Sequence, residues 1–228
     1  MGTWGRDVTG FHWDWHFAWS IVPDLLAGLR LTVLATMFGS IVSFAHGLVW
    51  TLIRLARIRR VTPVVEFLVQ FVRGTPLLVQ LYFLFYIFPE WGVSLSAFAT
   101  GVLGLGVCYS AYTTEIYRAG IENLPAGQWE AALTLGLPIR RVWLGIVLPQ
   151  SIRTILPMLG NQVIGMFKES SLLSTITVME LLAQGNSIGS INFRYVEPLT
   201  MVGALYFVIS YTAARLVRGS EARHAVYG

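Results

Sequence analysis

Charge is scarce in this 228-residue sequence. Asp, Glu, Lys and Arg together make 12% of it, hydrophobic residues make 55%, and the mean hydropathy is +0.63. Soluble domains carry about a quarter charged residues, so that class is excluded and most of the chain is expected in lipid. Cysteine occurs once, as Cys108 in an apolar stretch; it can form no internal disulfide and reads as a small buried hydrophobe. Lysine also occurs once, as Lys168, and glutamate follows it. No G-x-x-x-x-G-K-[ST] loop exists, so the chain has nothing with which to cradle ATP phosphates. His46 is the only histidine in a long apolar run and no nucleophile motif accompanies it, which leaves an intramembrane hydrolase without a catalytic constellation. His12 and His16 are four residues apart but lack a third ligand, so no metal site is expected. The first twenty residues hold Asp7, Asp14 and many aromatics where a cleavable leader would have a basic start and an apolar core, so the N-terminal segment is expected to stay.

Long apolar runs are abundant. Leu31 to Ile53 contains no charge in 23 residues, which as a helix reaches about 34 Å, enough to cross about 30 Å of hydrocarbon. Four arginines follow at once: Arg54, Arg57, Arg59 and Arg60. By the positive-inside rule they mark the cytoplasmic side and put the N-terminus outside. Further spans are expected from about Pro63 to Phe88, Trp91 to Thr114, about Ile155 past Lys168, and about Phe193 to Ala214. With five spans the first and third loops and the C-terminal tail are cytoplasmic, and these hold most of the basic residues, among them Arg118, Arg140, Arg141, Arg153, Arg215, Arg218 and Arg223. The arginines flank apolar runs and form no single stripe, so they read as topology signals and not as a nucleic-acid surface. Backbone groups in hydrocarbon must pair within their own segment, and runs of this length suit helices. The fold class is therefore an all-α polytopic membrane protein with five transmembrane helices. Residues 1–20 form an aromatic interfacial lead-in in which Phe11, Trp13, Trp15, Phe17 and Trp19 alternate; 21–218 form the membrane domain; 219–228 form a cytoplasmic tail.

The loop at about 120–149 has an organisation of its own. In "NLPAGQWEAALTLG", Pro125 suits a helix start, Glu130 to Leu133 favour the helical body, and Gly136 suits a left-handed cap. "PIRRVWLGIVLP" restarts at Pro138 and turns apolar. Such a hairpin either packs on its own membrane domain or offers a partner a docking surface, with Glu130 available for a charge-assisted bond and small alanines leaving room for approach.

The spacing Glu130-Ala131-Ala132, Gly136, Ile146, Leu148-Pro149 resembles the EAA signature of the membrane subunits of ABC importers, without a departure. "VRGTPLLVQLYFLFY", "TTEIYRAGI" and "GNQVIGMFKESSLLS" resemble the polar amino-acid branch, and the likeness runs over roughly residues 20 to 218. The resemblance implies a type I importer permease whose hairpin sits in a groove of a separate cytoplasmic ATPase. Glu130, Ala131, Ala132, Gly136, Leu148 and Pro149 would then form the coupling element. The implied partners are a second permease subunit, the same or related, two ABC ATPase subunits carrying ATP and Mg, and an extracytoplasmic substrate-binding protein, in the bacterial inner membrane.

Ionisable residues inside spans mark pathways by default. Arg73 lies near mid-depth of the expected second span and opens "RGTP", where glycine and proline would interrupt the helix, as spans at substrate sites are interrupted. Lys168 and Glu169 form a second charged point, followed by Ser170 and Ser171. An amino acid would place its carboxylate on Arg73 or Lys168 and its ammonium on Glu169, with Thr75 and Ser171 adding neutral bonds. The alternative is purely structural: Arg73 paired with Glu66, and Lys168 with Glu169 or a neighbouring helix. Glu115 reads as half of a helix-surface pair with Arg118. An ion-coupled secondary carrier or channel would use the same intramembrane charges but would need no docking hairpin.

Overall fold

The computed structural model describes residues 12–225; Phe11 of the aromatic lead-in, Asp7, and residues 226–228 of the tail lie outside the described residues. Every regular element among the described residues is helical. Helix α1 (Trp15–Ser20) is capped by Asp14, whose carboxylate accepts the Phe17 N–H at 3.0 Å. That bond holds the Asp14 carboxyl below the usual carboxylate range. Helix α2 (Val22–Leu55) runs for 34 residues. It begins well before Leu31 because Pro23 suits the first helical turn, and Asp24 and Arg30 sit exposed in the added turns.

The second expected span is not one helix. Helix α3 (Thr62–Gly74) and helix α4 (Leu77–Tyr82) meet at Thr75-Pro76, and the axis turns there by 104°. Proline lacks an N–H and disfavours helical backbone at the residue before it, and Thr75 is accordingly extended at φ −105°, ψ 130°. Gln80 Nε2 repairs the break by donating to the Val72 and Thr75 carbonyls, each at 2.9 Å. After α4 the chain passes a π turn (Phe83–Ile87) and a 3₁₀ turn (Phe88–Trp91).

Helix α5 (Ala97–Glu122) starts after Ser96, whose hydroxyl accepts the Ala99 N–H at 3.2 Å. It therefore begins later than Trp91 and runs past Thr114. Helices α6 (Ala126–Thr134) and α7 (Ile139–Val142) form the hairpin. A π turn (Trp143–Val147) leads into α8 (Leu148–Glu169), which a 3₁₀ segment (Ser170–Ile176) extends. Helix α9 (Leu181–Asn192) is an element that the polar "NSIGSIN" concealed at sequence level, and α10 (Val196–Ala225) completes the chain.

By length and composition, Val22–Leu55, Ile139–Ile176 and Val196–Gly219 can each cross a membrane, and the bent pair Thr62–Gly74 and Leu77–Trp91 adds a fourth when taken as one span. Helix α5 is long enough but less apolar, for a reason its packing explains: α2, α3, α4 and α8 all pack on it. A helix sheathed in protein needs small and hydroxyl residues for close approach more than it needs lipophilicity. A Cβ on Gly47 would lie 2.7 Å from Thr113 Cβ, and one on Gly106 would lie 2.5 Å from Val42 Cγ1, so α2 and α5 touch backbone to side chain. A buried polar seam runs through the same contact. Ser43 and Thr113 hydroxyls bond at 2.7 Å, Gln162 Nε2 donates to Thr113 Oγ1 at 2.6 Å, and Thr114 Oγ1 donates to the Gly47 carbonyl at 3.3 Å.

At the end of the molecule where α1 sits, Glu180 is fully buried before α9. Its carboxylate accepts the N–H groups of Leu182 and Ala183 at 2.9 and 2.7 Å and the Tyr206 hydroxyl at 2.8 Å. It lies 3.4 Å from Thr32 Oγ1, and so ties α2, α9 and α10 together.

Candidate functional site

The break between α3 and α4, the middle of α5 and the end of α8 enclose a cavity of about 760 Å³. All five residues singled out from sequence, Arg73, Thr75, Lys168, Glu169 and Ser171, line it. Arg73 arrives from the last turn of α3, where the bend turns the chain aside and leaves its side chain at the cavity wall. Its guanidinium lies over the Tyr112 ring, 5.5 Å from the centroid, and 3.9 Å from Glu115. The alternative pairing of Arg73 with Glu66 is absent, since Glu66 instead approaches Arg54 at 3.9 Å.

Glu115 is more than half of a surface pair. Its Oε1 accepts Arg54 Nη1 at 2.8 Å and its Oε2 accepts Arg118 Nε and Nη2 at 2.9 and 2.8 Å. Both oxygens are thus taken by short bonds, and the longer contact leaves Arg73 free to hold another carboxylate. Arg54, read from sequence as a topology signal, is also the bridge from α2 to α5 and α3.

Across the cavity, Lys168 and Glu169 are exposed at the C-terminal end of α8. The Tyr109 hydroxyl approaches Gly165, one turn earlier, and faces Glu169. Ser171 Oγ donates to the Lys168 carbonyl at 2.9 Å and Thr75 Oγ1 to the Phe71 carbonyl at 2.8 Å, which leaves both oxygens free to accept. Cys108, Tyr109 and Tyr112, one face of α5, complete the wall. Sequence reasoning missed the two tyrosines and Gln80. Tyrosines in a span carry no cost that would flag them, but Gln80, a lone amide four residues after Pro76, was a signal that a broken helix needs a donor.

The second candidate element is the hairpin. Gly136 holds φ +59°, the left-handed conformation that the cap requires. Glu130, Ala131 and Gly136 are exposed. Ala132 is not: it is 2% exposed and packs with Val142 and Val147, with Trp129 and Trp143 ring to ring at 5.4 Å. Its small side chain lets α6 settle on the chain's own core. Leu148 is half-buried and Pro149 exposed in the first turn of α8. Leu135, Ile139 and Leu144 remain 74%, 63% and 57% exposed beside Arg140 and Arg141, an exposed apolar and basic tip.

Residues 43–225 match the family model of binding-protein-dependent transport system inner membrane components. The chain belongs to that family. Among curated relatives, a probable amino-acid ABC transporter permease of Sinorhizobium fredii is 42% identical over 214 residues, covering 92% of this chain and 93% of its own. The L-cystine transport system permease of Bacillus subtilis is 35% identical over 193 residues, covering 84% and 82%. Among solved structures, an amino acid ABC transporter with histidines superposes with a TM-score of 0.89 at 35% identity, over 93% of this chain and all of that one. The MetNI methionine transporter shares the fold alone, with a TM-score of 0.63 at 18% identity. As an inner membrane component of this family the chain is an integral membrane protein.

Proposed function

We propose that the chain is the permease subunit of an ATP-driven, binding-protein-dependent importer that carries a polar amino acid across the bacterial cytoplasmic membrane. The observation that carries this reading is the convergence of Arg73, Lys168 and Glu169 from two distant segments on one cavity, in a fold whose relatives are named for amino-acid transport. One zwitterion satisfies that arrangement: its carboxylate pairs with Arg73 or Lys168 and its ammonium with Glu169, while Thr75 and Ser171 accept further hydrogen bonds. The aromatic faces of Tyr109 and Tyr112 give the site an apolar wall.

The cavity is one-sided, and a second permease subunit closes it. Helix α5, third in chain order, completes five spans with α2, the bent α3–α4 pair, α8 and α10, with the N-terminus outside and the hairpin in the cytoplasm. Two ATPase subunits grip the hairpins at Glu130, Ala131 and Gly136, with Leu148 and Pro149 anchoring the second arm and Ala132 setting its packing. ATP and Mg reside on those subunits, and a substrate-binding protein delivers the cargo from outside. Rigid-body motion of the pair opens the cavity alternately to each side.

Uptake into proteoliposomes containing the permease, its ATPase and its binding protein tests the reading. Uptake should require ATP, and Arg73→Ala should abolish it while the binding protein still captures substrate. Uptake that persists with the ATPase omitted would instead identify an ion-coupled carrier.

A further inference from the structure

We propose that the protein binds an anionic glycerophospholipid on the side of α8 opposite the polar cavity. One acyl chain lies in an apolar groove and the phosphate sits beside Arg57, just after α2. The groove encloses about 750 Å³ between α2, α5, α8 and the π turn at Trp143–Val147. Its walls include Leu48, Leu52, Ile152 and Leu156, which are 46%, 56%, 46% and 55% exposed, together with Tyr117 and Trp143. Leu159, also in its wall, precedes Lys168 by nine residues. At 3.6 residues per turn the two point about 180° apart on α8, so the groove faces away from the cavity and from any second subunit that closes it.

One end of the groove meets a smaller polar cavity of about 310 Å³, and Thr51 and Leu55 are walls of both. Arg54, Arg57 and Arg118 line that cavity. Arg54 and Arg118 are engaged by Glu66, Glu115 and Glu122, but among the described residues Arg57 has no acidic partner. It is exposed, directly follows the groove residue Ala56, and turns the chain with a left-handed φ of 49°. An uncovered aliphatic trough that ends at an unpaired guanidinium is complementary to a lipid with an apolar chain and a net negative head. Basic pockets between spans hold such headgroups, and tyrosine and tryptophan prefer the headgroup level. A zwitterionic headgroup brings its own cation to Arg57 and is the poorer ligand. The proposed function enters in naming the cytoplasmic leaflet as the source of the lipid and in placing a second subunit across the cavity.

Native mass spectrometry tests this on the full-length chain, in the complex in which it leaves the membrane, with equimolar phosphatidylglycerol and phosphatidylcholine of matched chains. Wild type should retain phosphatidylglycerol preferentially. Arg57→Gln should lower its retention about fivefold, the factor for one basic residue near an anionic surface, and leave phosphatidylcholine unchanged. Leu156→Trp, which fills the trough from an exposed position, should lower both. Arg153→Gln, an exposed arginine of α8 that does not line either cavity, should alter neither. Equal retention of the two lipids by wild type, or undiminished phosphatidylglycerol in Arg57→Gln or Leu156→Trp, overturns the site. So does a disulfide between two copies of Leu52→Cys in membranes, which puts a second chain in the groove. Loss of lipid preference with ATP-driven uptake intact removes this site alone, whereas ATPase-independent uptake removes the transport reading and leaves the mass measurement standing.

Discussion

Substituting Glu115 tests whether the charge cluster beneath the cavity holds α2 to α5. The Arg54 and Glu115 side chains are 16% and 20% exposed and meet at 2.8 Å. Opposite charges about 4 Å apart attract by about 4 kcal/mol at an effective dielectric of about 20. Dehydrating both groups offsets a large part of this, and hydrogen bonds to charged groups are worth about 1.5–3 kcal/mol net. A coupling energy of about 2 kcal/mol is therefore expected between Arg54→Gln and Glu115→Gln. Equilibrium unfolding in mixed micelles of wild type, both single variants and the double variant would measure it. The pair Arg118 and Glu122 is the control: its side chains are 38% and 52% exposed, and a helix pair so placed should couple by about 0.5 kcal/mol or less. Additivity of the Arg54 and Glu115 changes within about 0.5 kcal/mol would refute the argument, because the pair would then be worth no more than its exposed neighbour.

Gly106→Leu should prevent stable assembly of the membrane domain, since even a Cβ there would lie 2.5 Å from Val42 and 3.2 Å from the Gly39 carbonyl; normal yield and thermal stability in detergent would contradict the packing of α2 on α5. Gln80→Leu removes the donor that serves the Val72 and Thr75 carbonyls and should cost about 1–3 kcal/mol in the same unfolding assay, with a weakened uptake rate; an unchanged midpoint would mean that water replaces the amide. Glu130→Lys, on an exposed face of α6, should leave insertion intact and reduce co-purification of the ATPase, and normal recovery of the complex would count against docking there.

Much of the site was legible because intramembrane charge is costly. Arg73, Lys168 and Glu169 stood out in apolar runs, and the glycine and proline beside Arg73 told where the helix would break. What the sequence could not give was the partner of each charge. Glu66 and Arg73 are seven apart and would share a helix face, but Arg54 reaches Glu66 from α2, a contact across 12 residues and a turn that no local periodicity encodes. The run from Trp91 to Thr114 was legible as a span, but not that its glycines and hydroxyl residues serve contacts with α2, α3, α4 and α8. Glu180 shows the same limit. It went unremarked in the sequence, because its burial depends on Thr32 and Tyr206 from far along the chain.

Helix α5 joins the two candidate elements directly. Tyr112 lines the cavity and Glu122 ends the helix ten residues later, about 15 Å along the axis, and α6 begins four residues beyond. No proline or bulge interrupts that interval, and Arg118 bonds Glu115 and Glu122 along it. Kinks need such a defect, so this segment moves as a rod. A tilt of this segment would carry Tyr112 and Glu115 together relative to the guanidinium of Arg73, which lies over the Tyr112 ring. The place for a hinge beside the cavity is Thr75-Pro76, where the α3–α4 helix is already broken and Gln80 and the Thr75 hydroxyl bridge the gap.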